Sequence, residues 1–155
     1  MTCPTRAFAL LGGALTLLGC GSDDLTAVHE DGDQIPMRIV TDFRQPDSTR
    51  TPATIETASI SGHTLHLALS YPGGCGIHEF GLAAFDSVTE SDPPQVTVIL
   101  RHYGHNDTCR ALVTHSVTAE LTDLQGLAGD HRTLRVRLYG PWDLTPVETE
   151  LVYDF

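Results

Sequence analysis

His63-Thr64-Leu65-His66-Leu67-Ala68-Leu69-Ser70-Tyr71 is the stretch that decides the fold. Leu65, Leu67, Leu69 and Tyr71 fall on one face and His66 on the other, the period-two pattern of a strand with one face buried. The same alternation runs through Met37, Ile39, Thr41 and Phe43, and through Leu134, Val136 and Leu138 against Arg135 and Arg137. It returns in Val147, Thr149, Leu151, Tyr153 and Phe155 against Glu148, Glu150 and Asp154. Between these runs lie Ser61-Gly62, Pro72-Gly73-Gly74, Asp92-Pro93-Pro94 and Gly140-Pro141, all turn chemistry. Eight strands are predicted near residues 37–43, 54–60, 63–71, 77–86, 95–103, 111–121, 132–139 and 147–154. Only residues 122–128 allow a helical turn. The pattern predicts an all-β protein, an antiparallel Ig-like β-sandwich, with a small closed β-barrel as its rival. Trp142 is expected to cap one end of the core.

Ahead of the strands, Arg6 precedes a mostly apolar run from Ala7 to Leu18. That is the length of a signal-peptide core and short of the roughly 20 apolar residues a spanning helix needs. Leu17-Leu18-Gly19-Cys20 resembles the lipobox of bacterial lipoproteins. The resemblance implies a signal peptide over 1–19, removed by cleavage, and a mature N-terminal Cys20 carrying diacylglycerol and palmitate. Residues 20–35 are polar and acidic and read as a flexible tether. Residues 36–155 then form one β-sandwich domain. Such a protein is extracytoplasmic and held on a membrane by its lipid. Gly21 stands where some bacteria use an aspartate for inner-membrane retention, which favours the outer membrane in a Gram-negative source.

Nine basic and twenty acidic residues give a net charge of −11, and every one of those bases is arginine. Nucleic acid, which demands a basic footprint, is excluded as a partner. An electrostatic grip on anionic lipid is disfavoured as well, leaving the acyl chains as anchor.

Cys3 leaves with the signal peptide and Cys20 takes the lipid, so Cys75 and Cys109 remain as a pair outside the cytoplasm. Two thiols there usually form a disulfide. If strands 77–86 and 95–103 form a hairpin, residues whose numbers sum to about 180 or 181 lie opposite one another. His78 then faces His102 nearly directly, and both share the apolar faces of their strands. Two cysteines and two histidines thus converge on one end of the sheet. A Cys75–Cys109 disulfide with packed histidines is the first reading, worth roughly 3–4 kcal/mol in the chain-entropy model. The second is a zinc site of Cys75, His78, His102 and Cys109, with His105 competing for the fourth place. A redox or nucleophilic thiol is the third, and a disulfide beside a histidine pair holding a labile metal is a hybrid. His115, on an apolar face, reads as a core histidine.

Gly73-Gly74-Cys75-x-x-His78-x-Phe80 and Leu100-x-His102-x-x-x-x-Asp107-x-Cys109 together are similar to a pattern in uncharacterised bacterial lipoproteins. The resemblance favours His102 over His105 and leaves Asp107 as a turn residue or a support behind the cluster, the turn being preferred. It implies no activity. No Gly-x-Ser-x-Gly elbow, His-Glu-x-x-His, phosphate-cradling loop or cofactor fingerprint occurs, so no catalytic residue is assigned. A binding or structural module of the envelope is the expectation, its partner an envelope protein or a small ligand. A metal-binding or redox module is the alternative, and a hydrolase without a recognisable motif the second.

Overall fold

The computed structural model describes residues 32–41, 51–141, 147 and 150–155. The signal segment 1–19, Cys20, most of the tether, Phe43 and Trp142 lie outside the described residues. Among the described residues nine strands are seen: β1 (Asp33–Gln34), β2 (Met37–Val40), β3 (Thr54–Ser61), β4 (Thr64–Gly73), β5 (Glu79–Thr89), β6 (Gln95–Tyr103), β7 (Ala111–Glu120), β8 (Thr133–Tyr139) and β9 (Leu151–Asp154). One 3-10 turn, Thr122–Leu127, falls where the sequence allowed it. The strands form two open sheets, β1-β7-β4-β3 and β2-β5-β6-β8-β9. A closed barrel is thereby ruled out and the sandwich stands.

The sandwich is assembled from apolar alternation. Leu65, Leu67 and Leu69 of β4 join Val96, Val98 and Leu100 of β6, Leu134, Val136 and Leu138 of β8, and Tyr153 of β9 in one buried cluster. Each fully buried Leu or Val contributes about 1.5–3 kcal/mol relative to exposure. Leu121 and Leu124, at the 3-10 turn, are wholly buried and belong to the same cluster.

Two features depart from the sequence reading. The sheets are mixed, because β1 runs parallel to β7, β2 to β5 and β6 to β8. Between β2 and β5 the chain makes the β3–β4 hairpin in the opposing sheet, and between β6 and β8 it makes β7 there. Alternation along a strand reports its buried face, and such excursions leave no mark on it. The folded region also starts ahead of residue 36. Asp33–Gln34 pairs with Val117–Thr118, Ile35 N–H donates to Thr118 O at 2.8 Å, and Ile35 joins the core.

The β5–β6 hairpin positions the histidines. Its pairs near the turn sum higher than those beyond it, because β5 inserts extra residues between Ala84 and Val88. The outcome sets Phe80 opposite His102, so His78 lies one pleat further along, diagonal to His102 instead of facing it. Diagonal partners share a face, so both histidines still point inward.

Candidate functional site

The site sits at the end of the sandwich where β4 turns toward β5 and β6 toward β7. β4 ends at Gly73, and Gly74 takes a φ of +107°, which a glycine adopts without strain. Gly73 has a separate reason to be glycine. A Cβ there would lie 2.5 Å from His78 Nε2, so the missing side chain makes room for the ring. After β6, Gly104 O accepts from Asp107 N–H at 2.8 Å while His105 and Asn106 both have positive φ, as the central residues of a type I′ turn do. This turn carries Asp107 and Cys109 back beneath Cys75.

Cys75 and Cys109 are joined as a disulfide, their Cα atoms 5.8 Å apart. Asp107 is the hub beneath it. Its Oδ2 accepts from Cys75 N–H (2.9 Å), Gly76 N–H (2.9 Å) and His78 Nε2–H (3.1 Å). Its Oδ1 accepts from Cys109 N–H at 2.8 Å, two residues on, as aspartates in turns do. The Asp107 and His78 side chains are only 3% and 4% exposed. The Cys109 amide foremost, then those of Cys75, the His78 ring and Gly76, hold the Asp107 carboxyl well below the usual carboxylate range. Asp107 is therefore both a turn residue and the centre of the cluster, whereas the sequence reading preferred the turn alone.

Behind His78 lies His102, fully buried. His78 Nδ1 and His102 Nε2 are 2.8 Å apart, and His102 Nδ1 lies 3.2 Å from the carbonyls of both Thr51 and Pro52. Desolvation lowers the His102 pKa from its ordinary 6.5. Rings close around it: Phe80 stacks on His102 at 4.5 Å and 5°, and Tyr71 packs at 4.8 Å. Burial first, and the Asp107 charge second, raise the Tyr71 pKa. His115 stacks on Phe80 at 5.6 Å and meets Asp33 at 3.2 Å, so it borders the cluster. His105 stays out on the surface, 3.4 Å from Glu79.

The zinc expectation named Cys75, His78, His102 and Cys109. Among the described residues, the potential ligand atoms that lie within 4.8 Å of one another come from Cys75, Asp107 and Cys109, without either histidine. The sulfurs are bonded to each other, so neither is a thiolate. His78 and His102 direct their nitrogens at each other and at Asp107 and two carbonyls. Sequence reasoning placed Cys75, His78, His102 and Cys109 together, with Phe80 on the face of His78, and missed Tyr71 and the Thr51–Pro52 carbonyls as their surroundings. Phe80 was legible, since it shares the inward face with both histidines; Thr51 carries no pattern of its own. Asp107, His78 and His102 form a hydrogen-bonded chain that ends on the Thr51 and Pro52 carbonyls.

No protein-family model matches the chain, and no curated protein matches it. Solved structures share its fold. A NigD-like immunity protein from Bacteroides caccae superposes with a TM-score of 0.54 at 16% identity, over 79% of this chain and 64% of that one. A protein of unknown function from Bacteroides vulgatus gives 0.52 at 15% identity, over 80% and 56%. A candidate lipoprotein from Bacteroides fragilis gives 0.50 at 10% identity, over 80% and 71%. The chain thus spans less than two thirds of the first two, and at these identities the likeness is one of fold.

Proposed function

We propose that this chain is a lipid-anchored protein of the bacterial cell envelope. Its single β-sandwich domain is a binding or structural module, stapled by the Cys75–Cys109 disulfide and tethered to the membrane through Cys20. The observation that carries the reading is the closure of the cysteine–histidine cluster. Its sulfurs are bonded to each other, its carboxylate accepts four hydrogen bonds, and its histidines are spent on internal partners. A cluster so occupied supports a role in holding the end of the sandwich together. A disulfide also belongs to an oxidising compartment, to which the lipobox-like segment supplies the route. The name of one neighbour, a candidate lipoprotein, fits an envelope setting. Gly21 favours the outer membrane within it.

Expression of the full chain in a bacterial host tests the anchor. The wild type is expected in the detergent phase with an acylated N-terminus, and Cys20→Ser in the aqueous phase. Equal partitioning of the two would sink the lipid anchor.

A further inference from the structure

Facing away from the core, β2, β5 and β6 build a cleft whose occupant is legible from its donors. Its floor is Gly81 and Ala83. Arg101 lies directly across from Gly81, Tyr103 across from Glu79, and Arg38 across from Ala83 on the other side. Pro36 closes the β2 edge, its carbonyl accepting from Leu82 N–H at 2.9 Å. The cleft encloses about 270 Å³.

Two observations mark it as more than a dent. Gly81 stands inside a long strand, where glycine weakens the strand and often marks the close approach of another group. Nothing local requires it: a Cβ there would meet only Pro36 O at 3.5 Å and Pro36 Cγ at 3.9 Å, ordinary contacts. The missing side chain opens the floor. The second observation is the state of the cations. In a chain of net charge −11, neither the Arg38 nor the Arg101 guanidinium has a hydrogen bond or ion pair to any described residue. Arg135, by contrast, meets Glu150 at 2.9 Å. Glu79, the carboxylate at the rim, is engaged by His105 at 3.4 Å. Arg38, Arg101 and Tyr103 thus line one concavity, and guanidinium forks match the oxygens of carboxylate and phosphate.

We propose that this cleft binds a small ligand through an oxyanion, a carboxylate or phosphate group, with Arg38 and Arg101 as its charged donors. The volume falls just below the roughly 300–1,000 Å³ of ligand pockets, which suits a single compact head group. The proposal rests on the reading of the domain as a binding module and names the site and the chemistry of its ligand.

The test is titration of the purified full chain, in mild neutral detergent at constant ionic strength, with sodium phosphate and separately with citrate. Backbone amide NMR is the readout. Saturable shifts centred on Arg38, Gly81, Arg101 and Tyr103 are expected with at least one anion, and the tighter of the two names the head group. Binding should weaken at least tenfold in Arg38→Gln/Arg101→Gln and in Gly81→Val, but not in the control Arg135→Gln. Amide spectra elsewhere in each variant should stay unchanged, which separates a lost site from a lost fold. Linear, unsaturable shifts overturn the proposal, as does equal affinity in the folded variants. Saturable shifts confined to another surface also overturn the cleft, while leaving the binding-module reading in place.

Discussion

The His78 Nδ1 and His102 Nε2 atoms are 2.8 Å apart, and that contact fixes how many protons the pair must hold. At one end the Asp107 carboxylate accepts from His78 Nε2–H; at the other, the Thr51 and Pro52 carbonyls accept from His102 Nδ1–H. Both ends are acceptors, so the nitrogens between them need a third proton to make their own bond. Two neutral imidazoles carry only two. A third proton shared by the pair, beside the Asp107 carboxylate, would complete the chain. Desolvation disfavours charge on His102 itself.

Ring-nitrogen NMR checks that count. At about pH 6, near the ordinary histidine range, three slowly exchanging ring N–H protons are expected from His78 and His102 together, one of them coupled across the two rings. Two N–H protons and no coupling between rings would refute the shared-proton chain.

Acid should destabilise the fold in two steps. The folded His102 pKa lies below 6.5, so its neutral form contributes stability above 6.5 that is lost as pH falls from there through the folded value. Asp107 is also depressed, from 3.8, so its contribution is present above that value and lost as pH falls further. Chemical denaturation across pH should show stability rising with pH just under 6.5, and a second rise around and below 3.8. His102→Gln should remove the upper step and leave the lower. A profile unchanged by that variant would count against His102 as its source.

The strands were legible because β4, β6, β7, β8 and β9 bury alternate residues along much of their length, and Leu65, Leu67 and Leu69 make the period plain. The two-residue β1 is too short to show any period. The parallel pairings were not legible, since Met37 and Ile39 look the same beside a parallel or an antiparallel neighbour. The histidine pair was legible as to face and misplaced by one pleat. The hairpin turns about residue 92 instead of 90, and the residues that β5 inserts past Ala84 take back half of that offset; both shifts are even, so the inward set was kept while Phe80 took the position opposite His102. Asp107 was only half legible. Its spacing to Cys109 announces a turn, but three of its four donors lie about thirty residues earlier, at Cys75, Gly76 and His78.

Two glycines should respond oppositely to alanine. In Gly73→Ala the new Cβ would fall 2.5 Å from His78 Nε2 and 3.2 Å from Asp107 Oδ2, so the ring or the turn must shift. Overpacking of this kind costs about 1–3 kcal/mol. In Gly81→Ala the Cβ meets nothing nearer than 3.5 Å, and the lost freedom of the unfolded chain should stabilise by about 0.4–1 kcal/mol. Urea denaturation of the two variants beside the wild type decides; a Gly73→Ala protein as stable as the wild type would show that His78 is not held against the turn.

The double replacement Cys75→Ala/Cys109→Ala separates a staple from a thiolate site. The bridge spans a sequence separation of 34 residues, and removing it should cost about 3–4 kcal/mol on the chain-entropy account. The Asp107 hub should weaken with it, because the Cys75, Gly76 and Cys109 amides that aim at the carboxylate flank the bonded sulfurs. Their amide proton resonances are therefore expected to move and exchange faster in the variant, while metal content, measured on both proteins as isolated, stays the same. Intact mass of the wild type without reductant should be that of the reduced chain less two hydrogens. Free thiols together with zinc that disappears in the variant would replace the staple with a metal site, and Asp107, already within 4.8 Å of both sulfurs, would then be its third ligand.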